Sequence, residues 1–126
     1  MRISLPVAAL LLIAATPVQA TQGLLCRAAG GDGPRLSIVI GAGGIVGASL
    51  DEGGGWVSTT VQGGPLMLPQ AWIDGEQVLA DIVSERWDRV ARLRVRFDPP
   101  APRQPRSATG TLALRGRDWP VRCEED

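Results

Sequence analysis

The sequence contains no histidine, no lysine and no tyrosine. It therefore cannot build Ser-His-Asp or Cys-His catalytic sites, imidazole metal sites, Schiff bases or a tyrosine acid. The candidates that remain for catalysis are the carboxylates of Asp51, Glu52, Asp74 and Glu76. Each stands beside a glycine turn, no spacing selects a pair of the kind that cleaves glycosides, and the calcium-loop pattern is missing. We expect a protein that is not an enzyme and that uses no cofactor or metal.

Long apolar runs are scarce, and the one at the start of the chain covers residues 3–15. It is shorter than the roughly 20 residues that span a bilayer. Arg2 precedes it and Val18-Gln19-Ala20 follow it, an order typical of a secretory signal peptide. We expect residues 1–20 to form a helical signal peptide cleaved after Ala20. The product would be periplasmic or secreted, with no membrane span.

Only two cysteines are present, Cys26 and Cys123. In an oxidising compartment two is the number that forms one bridge. The predicted disulfide would join the two ends of the exported domain. In the entropic account, a disulfide that closes a loop of about 100 residues raises the free energy of unfolding by roughly 4 to 5 kcal/mol.

A long amphipathic helix is also missing after residue 20, because no stretch repeats apolar residues with a helical period over three turns. Clusters of Gly, Pro and Asp instead separate short runs rich in Val, Ile, Leu, Thr and Trp. Strands are predicted near 23–29, 35–41, 45–50, 56–62, 66–73, 77–85, 89–97, 109–115 and 119–124. This pattern predicts one all-β domain over residues 21–126, a β-barrel or β-sandwich of about eight to nine short antiparallel strands.

The segment LSIVIGAGGIVGASL, residues 36–50, superficially looks like a dinucleotide-binding turn. Such a turn needs a third glycine, a following helix and an acidic residue about 20 positions further on. Val46 stands in place of the third glycine, and the glycines at 53–55 end the apolar stretch. A glycine-rich hairpin turn is the better interpretation.

Residues 78–97 predict a hairpin around Arg86-Trp87-Asp88. The predicted pairs are Ser84 with Ala91, Ile82 with Leu93, Ala80 with Val95, Val78 with Phe97, Asp81 with Arg94 and Val83 with Arg92. This register places the apolar residues on one face and pairs charges on the other. The arginines at 92, 94 and 96 are then the solvent face of a strand, with an anion-binding role as the alternative.

Charge is segregated along the chain although the total is neutral. Residues 21–85 hold two arginines and seven acidic residues, whereas residues 86–122 hold ten arginines and three acidic residues. A basic half can mark a nucleic-acid site. Because the acidic half can neutralise it within one domain, we expect no nucleic-acid partner.

Four tryptophans are present. Those at 56, 72 and 119 lie in predicted strands and are expected in the core or at one of its ends. Trp87 is expected at a turn between Arg86 and Arg89, a mixture favoured in binding hot spots. It could instead fold back over the mouth of a barrel. The candidate partner-binding residues are Arg86, Trp87, Arg89, Arg92, Arg94 and Arg96.

These features favour a small exported, non-catalytic binding module, such as an inhibitor or an accessory protein, acting as a monomer on an envelope protein. The alternative is a lipocalin-like carrier that holds a small apolar molecule inside a barrel. A carboxylate-based hydrolase is the least favoured function.

Overall fold

The structure, a computed structural model, describes residues 22–59 and 64–126, so the predicted signal peptide lies outside the described residues. The described part contains nine strands: β1 (Gln22–Ala28), β2 (Arg35–Gly41), β3 (Gly44–Asp51), β4 (Trp56–Ser58), β5 (Leu66–Ile73), β6 (Gln77–Ser84), β7 (Arg89–Phe97), β8 (Ser107–Leu114) and β9 (Arg117–Glu125). The all-β prediction is confirmed. Each strand begins and ends within about two residues of its predicted position, except β4, whose predicted end lies outside the described residues.

All nine strands belong to one antiparallel sheet in the order β4-β3-β2-β1-β9-β8-β7-β6-β5. The sheet curls into a nearly closed barrel, with β5 lying beside β3 across an open seam. Of the two predicted architectures, the barrel is therefore the observed one. The first and last strands are neighbours in the middle of the sheet, and β4 and β5 are its two edges.

The barrel interior is filled by side chains from alternate positions of the strands. The largest fully buried side chains are Leu24, Leu36, Ile38, Ile82, Leu93, Leu112, Val78, Val95, Cys26 and Cys123. None of the described residues forms a helix long and apolar enough to cross a membrane.

The predicted disulfide between Cys26 and Cys123 is present and fully buried. The two cysteines face each other across the β1–β9 ladder, so the bond joins two strands that are already paired. A disulfide is compatible with an oxidising compartment.

The predicted register of the β6–β7 hairpin is wrong by two residues. Val78 pairs with Val95, and Ala80 with Leu93, although the same residues face inward as predicted. The prediction assumed a six-residue loop, whereas the Ser84 N–H donates to the Asp88 carbonyl at 2.9 Å and leaves a loop of three residues. A register shift between Ile82 and Val83 adds a bulge.

Two of the three tryptophans predicted for the core lie on the surface. Trp56 is 45% exposed at the edge strand β4, and Trp72 is 57% exposed at the edge strand β5. Both side chains point outward, because Trp56 pairs with Asp51 and Trp72 with Leu79 on the outer face. Only Trp119 packs partly against the core.

Asp51 is the buried carboxylate of the β3–β4 turn. It accepts hydrogen bonds from Arg35 Nη2 at 2.5 Å, from the Gly53 N–H at 2.8 Å and from the Gly55 N–H at 3.3 Å. The Arg35 hydrogen bond, helped by those from the glycines, lowers the pKa of Asp51 below its usual value. The ionised carboxylate therefore organises this turn.

The Asp51→Asn variant is expected to be less stable than wild type at pH 7, and the difference should shrink in acid. The folded-state pKa of Asp51 is below its unfolded value of about 3.9. The ionised carboxylate therefore stabilises the fold at pH values above about 3.9, and this stabilisation is lost as pH falls through the folded-state pKa. Denaturant unfolding from pH 7 to pH 2 measures this difference, with Asp118→Asn, at an exposed position of strand β9, as control. A gap between wild type and Asp51→Asn that stays constant with pH would contradict the assignment.

Candidate functional site

The outer face of β5, β6 and β7 carries two adjoining surface cavities of about 400 and 490 Å³. Both are lined by Pro69, Gln70 and Asp81, so they form one continuous depression. Trp72 lines the first cavity and Trp87 the second. We call this surface the tryptophan groove and define it by these five residues together with Arg89, Arg92 and Arg94.

The Trp72 end of the groove is held by the β5–β6 turn. Trp72 Nε1 donates a hydrogen bond to Asp74 Oδ2 at 3.0 Å, while Asp74 Oδ1 accepts from the Glu76 and Gln77 N–H groups at 2.7 and 2.9 Å. These hydrogen bonds lower the pKa of Asp74, the bond from the Trp72 indole most and the two backbone bonds less. The ring is therefore exposed and yet fixed in orientation.

The Trp87 end is built by the β6–β7 turn. Trp87 has φ of 65°, in the left-handed region that bulky residues rarely adopt. The turn is held by Ser84, whose carbonyl accepts from the Trp87 N–H at 2.9 Å and whose Oγ accepts from the Arg86 and Asp88 N–H groups at 3.3 Å. Trp87 is 69% exposed, so it does not fold back over the barrel mouth.

The side of the groove between the two tryptophans carries an excess of positive charge. Asp81 Oδ1 accepts from Arg92 Nε at 3.2 Å and lies 3.0 Å from Arg94 Nη2. One carboxylate oxygen is thus shared by two guanidinium groups. Arg89 also lines the groove and forms no ion pair within the described part of the chain.

The structure brings together four of the six predicted partner-binding residues. Trp87, Arg89, Arg92 and Arg94 line the tryptophan groove. The other two lie outside it: Arg86 belongs to the turn, and Arg96 lies 3.9 Å from Glu76. Their role in binding remains a prediction.

Trp72, Pro69 and Gln70 are groove residues that sequence reasoning missed. The expectation that Trp72 is buried placed it on the wrong face. Pro69 was the available signal, because proline within a strand is confined to edges and bulges, and β5 is an edge strand.

A second basic surface lies on another part of the barrel. Arg27 pairs across strands with Arg35 on one side and with Arg122 on the other. Arg35 is bonded to Asp51, Arg122 lies 3.6 Å from Glu124, and Arg27 has no ion pair within the described residues. Acidic side chains at 124–126 line the same surface, so its positive charge is largely offset.

The carboxylates considered for catalysis already have partners. Asp51 is bonded to Arg35 and Asp74 to Trp72. Glu52 accepts hydrogen bonds from Arg115 Nε and Nη2 at 2.8 and 3.0 Å, and this pairing raises the pKa of Arg115. Within residues 22–59 and 64–126, no group of three or more Cys, Asp or Glu side chains could hold a metal ion.

The tryptophan groove is thus a surface depression with an aromatic residue at each end and a basic side. No family model, curated protein or solved structure matches this chain.

Proposed function

We propose that this protein is a small exported binding module, without catalytic activity, that holds its partner in the tryptophan groove. Export rests on the signal-like residues 1–20 and on the disulfide, which suits an oxidising compartment. The proposal that it binds rests on the groove itself.

The observation that carries the proposal is the conformation of Trp87. A left-handed backbone costs a bulky residue about 1 kcal/mol, and Gly or Asn would fill this turn position at less cost. With 69% of its surface exposed, the Trp87 side chain recovers little of that cost by burial. A strained, exposed tryptophan adds little to the stability of the fold, whereas its exposed ring is available to contact a partner.

The composition of the groove supports the same function. Trp and Arg are enriched among the residues that dominate binding energy. Because the Trp72 ring is fixed by its bond to Asp74, little side-chain entropy remains to be lost on binding. The groove therefore offers one preorganised aromatic ring, that of Trp72, and a second exposed ring on a hydrogen-bonded turn, that of Trp87.

The alternative, a carrier of an apolar small molecule, gains less support. Buried side chains of the described strands, such as Leu24, Ile38 and Leu93, fill the barrel interior, and an internal ligand would have to displace some of them. The carrier remains a prediction without a specific observation in its favour.

The proposal is tested by photocrosslinking from the groove. A benzoylphenylalanine at Gln70 is expected to form a defined adduct with an envelope component of exporting cells, whereas one at Ser37, on the outer face of β2, should form none. The adduct should disappear in the Trp87→Gly background. The Trp87→Gly protein should stay folded and as stable as wild type, or more stable by up to about 1 kcal/mol.

Two results would count against the groove. One is the same adduct from positions 70 and 37. The other is an adduct from position 70 that survives Trp87→Gly. Denaturant unfolding of each variant shows that a lost adduct does not reflect a lost fold.

A further inference from the structure

The tryptophan groove is long and shallow. Trp72 lies level with Leu79, and Trp87 lies beyond Ser84 at the other end of β6. Five residues of strand at about 3.3 Å each separate these levels by roughly 17 Å. The groove follows the outer face of the sheet, so it suits a chain-like ligand that is contacted at several points better than one anchored in a deep pocket.

An extended peptide added to the sheet edge does not fit this surface well. Strand addition needs a regular edge of free N–H and C=O groups. Pro69 has no N–H, and the register of β5 shifts between Met67 and Gln70. Both features interrupt the edge of β5 beside the groove.

The two tryptophans offer ring faces rather than hydrogen bonds. The Trp72 N–H already donates to Asp74, so what this residue presents to a ligand is the apolar part of its ring. An aromatic face, with its negative quadrupole, packs well against the C–H face of a pyranose ring. Gln70, between the two ends, supplies an amide donor and acceptor for hydroxyl groups.

The positive charge of the groove favours a sugar chain that is negatively charged. Three arginines, at 89, 92 and 94, line the groove together with one carboxylate, that of Asp81. Arg92 and Arg94 share one of its oxygens, and their side chains remain 37% and 38% exposed. Guanidinium groups pair with carboxylates by charge-assisted, often bidentate hydrogen bonds. The excess of positive charge complements a chain that carries carboxylates.

From these features we infer that the tryptophan groove binds an acidic polysaccharide, a chain of pyranose rings that carries carboxylate groups. This inference rests on the proposed function and names its ligand class. Sugar rings stack on Trp72 and Trp87, and carboxylates pair with Arg89 and with the guanidinium nitrogens of Arg92 that do not contact Asp81. Arg94 adds mainly positive charge, because its Nη1 donates to the Leu93 carbonyl at 2.7 Å and its Nη2 lies 3.0 Å from Asp81 Oδ1.

The test is calorimetric titration of the exported domain with polygalacturonate, with neutral pullulan and poly-L-glutamate as matched polymers. We expect binding to polygalacturonate that weakens with salt, and no measurable binding to pullulan or poly-L-glutamate. Trp72→Ala and Trp87→Gly should each weaken binding by about tenfold or more. Trp56→Ala, an exposed tryptophan outside the groove, should leave it unchanged.

Arg89→Ala and Arg27→Ala form a matched pair for the charge, because neither arginine has an ion pair within the described residues. We expect Arg89→Ala to weaken polygalacturonate binding severalfold and Arg27→Ala to have no effect. Equal losses from both variants, equal binding of poly-L-glutamate, or no binding of polygalacturonate would each overturn the inference. A Trp87-dependent crosslink from position 70 would still uphold the proposed function in those cases, so the two failures are distinguishable.

Discussion

Replacing Cys26 and Cys123 together by alanine is expected to lower the free energy of unfolding by about 2 to 5 kcal/mol. The bond joins residues separated by 97 positions, so its loss frees nearly the whole described chain in the unfolded state. In the entropic account a loop of about 100 residues contributes about 4.7 kcal/mol. Most small domains are stable by only about 5 to 15 kcal/mol, so this single bond is a large fraction of the total.

The fold itself should survive the loss of the bond. Cys26 and Cys123 face each other inside a ladder that runs from Leu24 with Glu125 to Ala28 with Val121. Backbone hydrogen bonds therefore hold β1 against β9 independently of the sulfurs. We expect the double variant to keep its far-ultraviolet circular dichroism and to unfold at a lower denaturant concentration.

The reduced wild-type protein is the control for packing. Both sulfurs are fully buried, so alanine also removes volume from the core, whereas reduction removes the crosslink and keeps the sulfur atoms. Guanidinium unfolding of oxidised, reduced and doubly substituted protein separates the two effects. If the reduced and the doubly substituted protein each lost less than about 1 kcal/mol of unfolding free energy, the disulfide would not be a major source of stability, and the expectation would be wrong.

Much of the fold could be predicted because it is encoded locally. Glycine, proline and aspartate mark the strand ends, as at Gly30–Pro34 between β1 and β2. Alternation of apolar and polar residues then assigns the inward face, as it did for Val78, Ala80 and Ile82. The disulfide followed from simple counting, because two cysteines permit one intramolecular pair.

The hairpin register could not be predicted because it depends on one unusual turn residue. A three-residue loop closes when its last residue is left-handed, and sequences normally signal this with Gly or Asn. Here Trp87 takes that conformation, so the usual signal is missing. The inward face was still right, since an error of two residues does not change the face.

The Trp72 end of the tryptophan groove could not be predicted because of an irregularity within β5. Simple alternation from the buried Leu66 places Trp72 on the same inner face. The register shift between Met67 and Gln70 reverses this alternation, so Trp72 lies beside Leu79 on the outer face. The sequence pattern indicated the turn that contains Trp87, but it did not indicate this shift.

Position 110 in β8 has no room for a side chain, because the backbone of β7 lies too close. A Cβ at this position would lie 2.0 Å from the Arg94 carbonyl oxygen and 2.7 Å from the Val95 Cα. Both atoms belong to the backbone of the neighbouring strand β7, so no side-chain rotation relieves the overlap. Glycine in a strand interior often marks such a close backbone approach or a bend of a barrel.

The Gly110→Ala variant is expected to lose about 3 kcal/mol or more of unfolding free energy, at the upper end of the cost of overpacking, because β7 must move away from β8. The matched control is Gly43→Ala in the β2–β3 turn, where a Cβ meets no atom within 4 Å and φ is not left-handed, so a change within about 0.5 kcal/mol is expected. Denaturant unfolding of both variants makes the comparison. Equal stabilities for the two would show that the sheet is flat enough at Gly110 to accept a side chain. A large loss confined to Gly110→Ala would place the bend of the barrel at the contact between β7 and β8, directly behind the arginines of the groove.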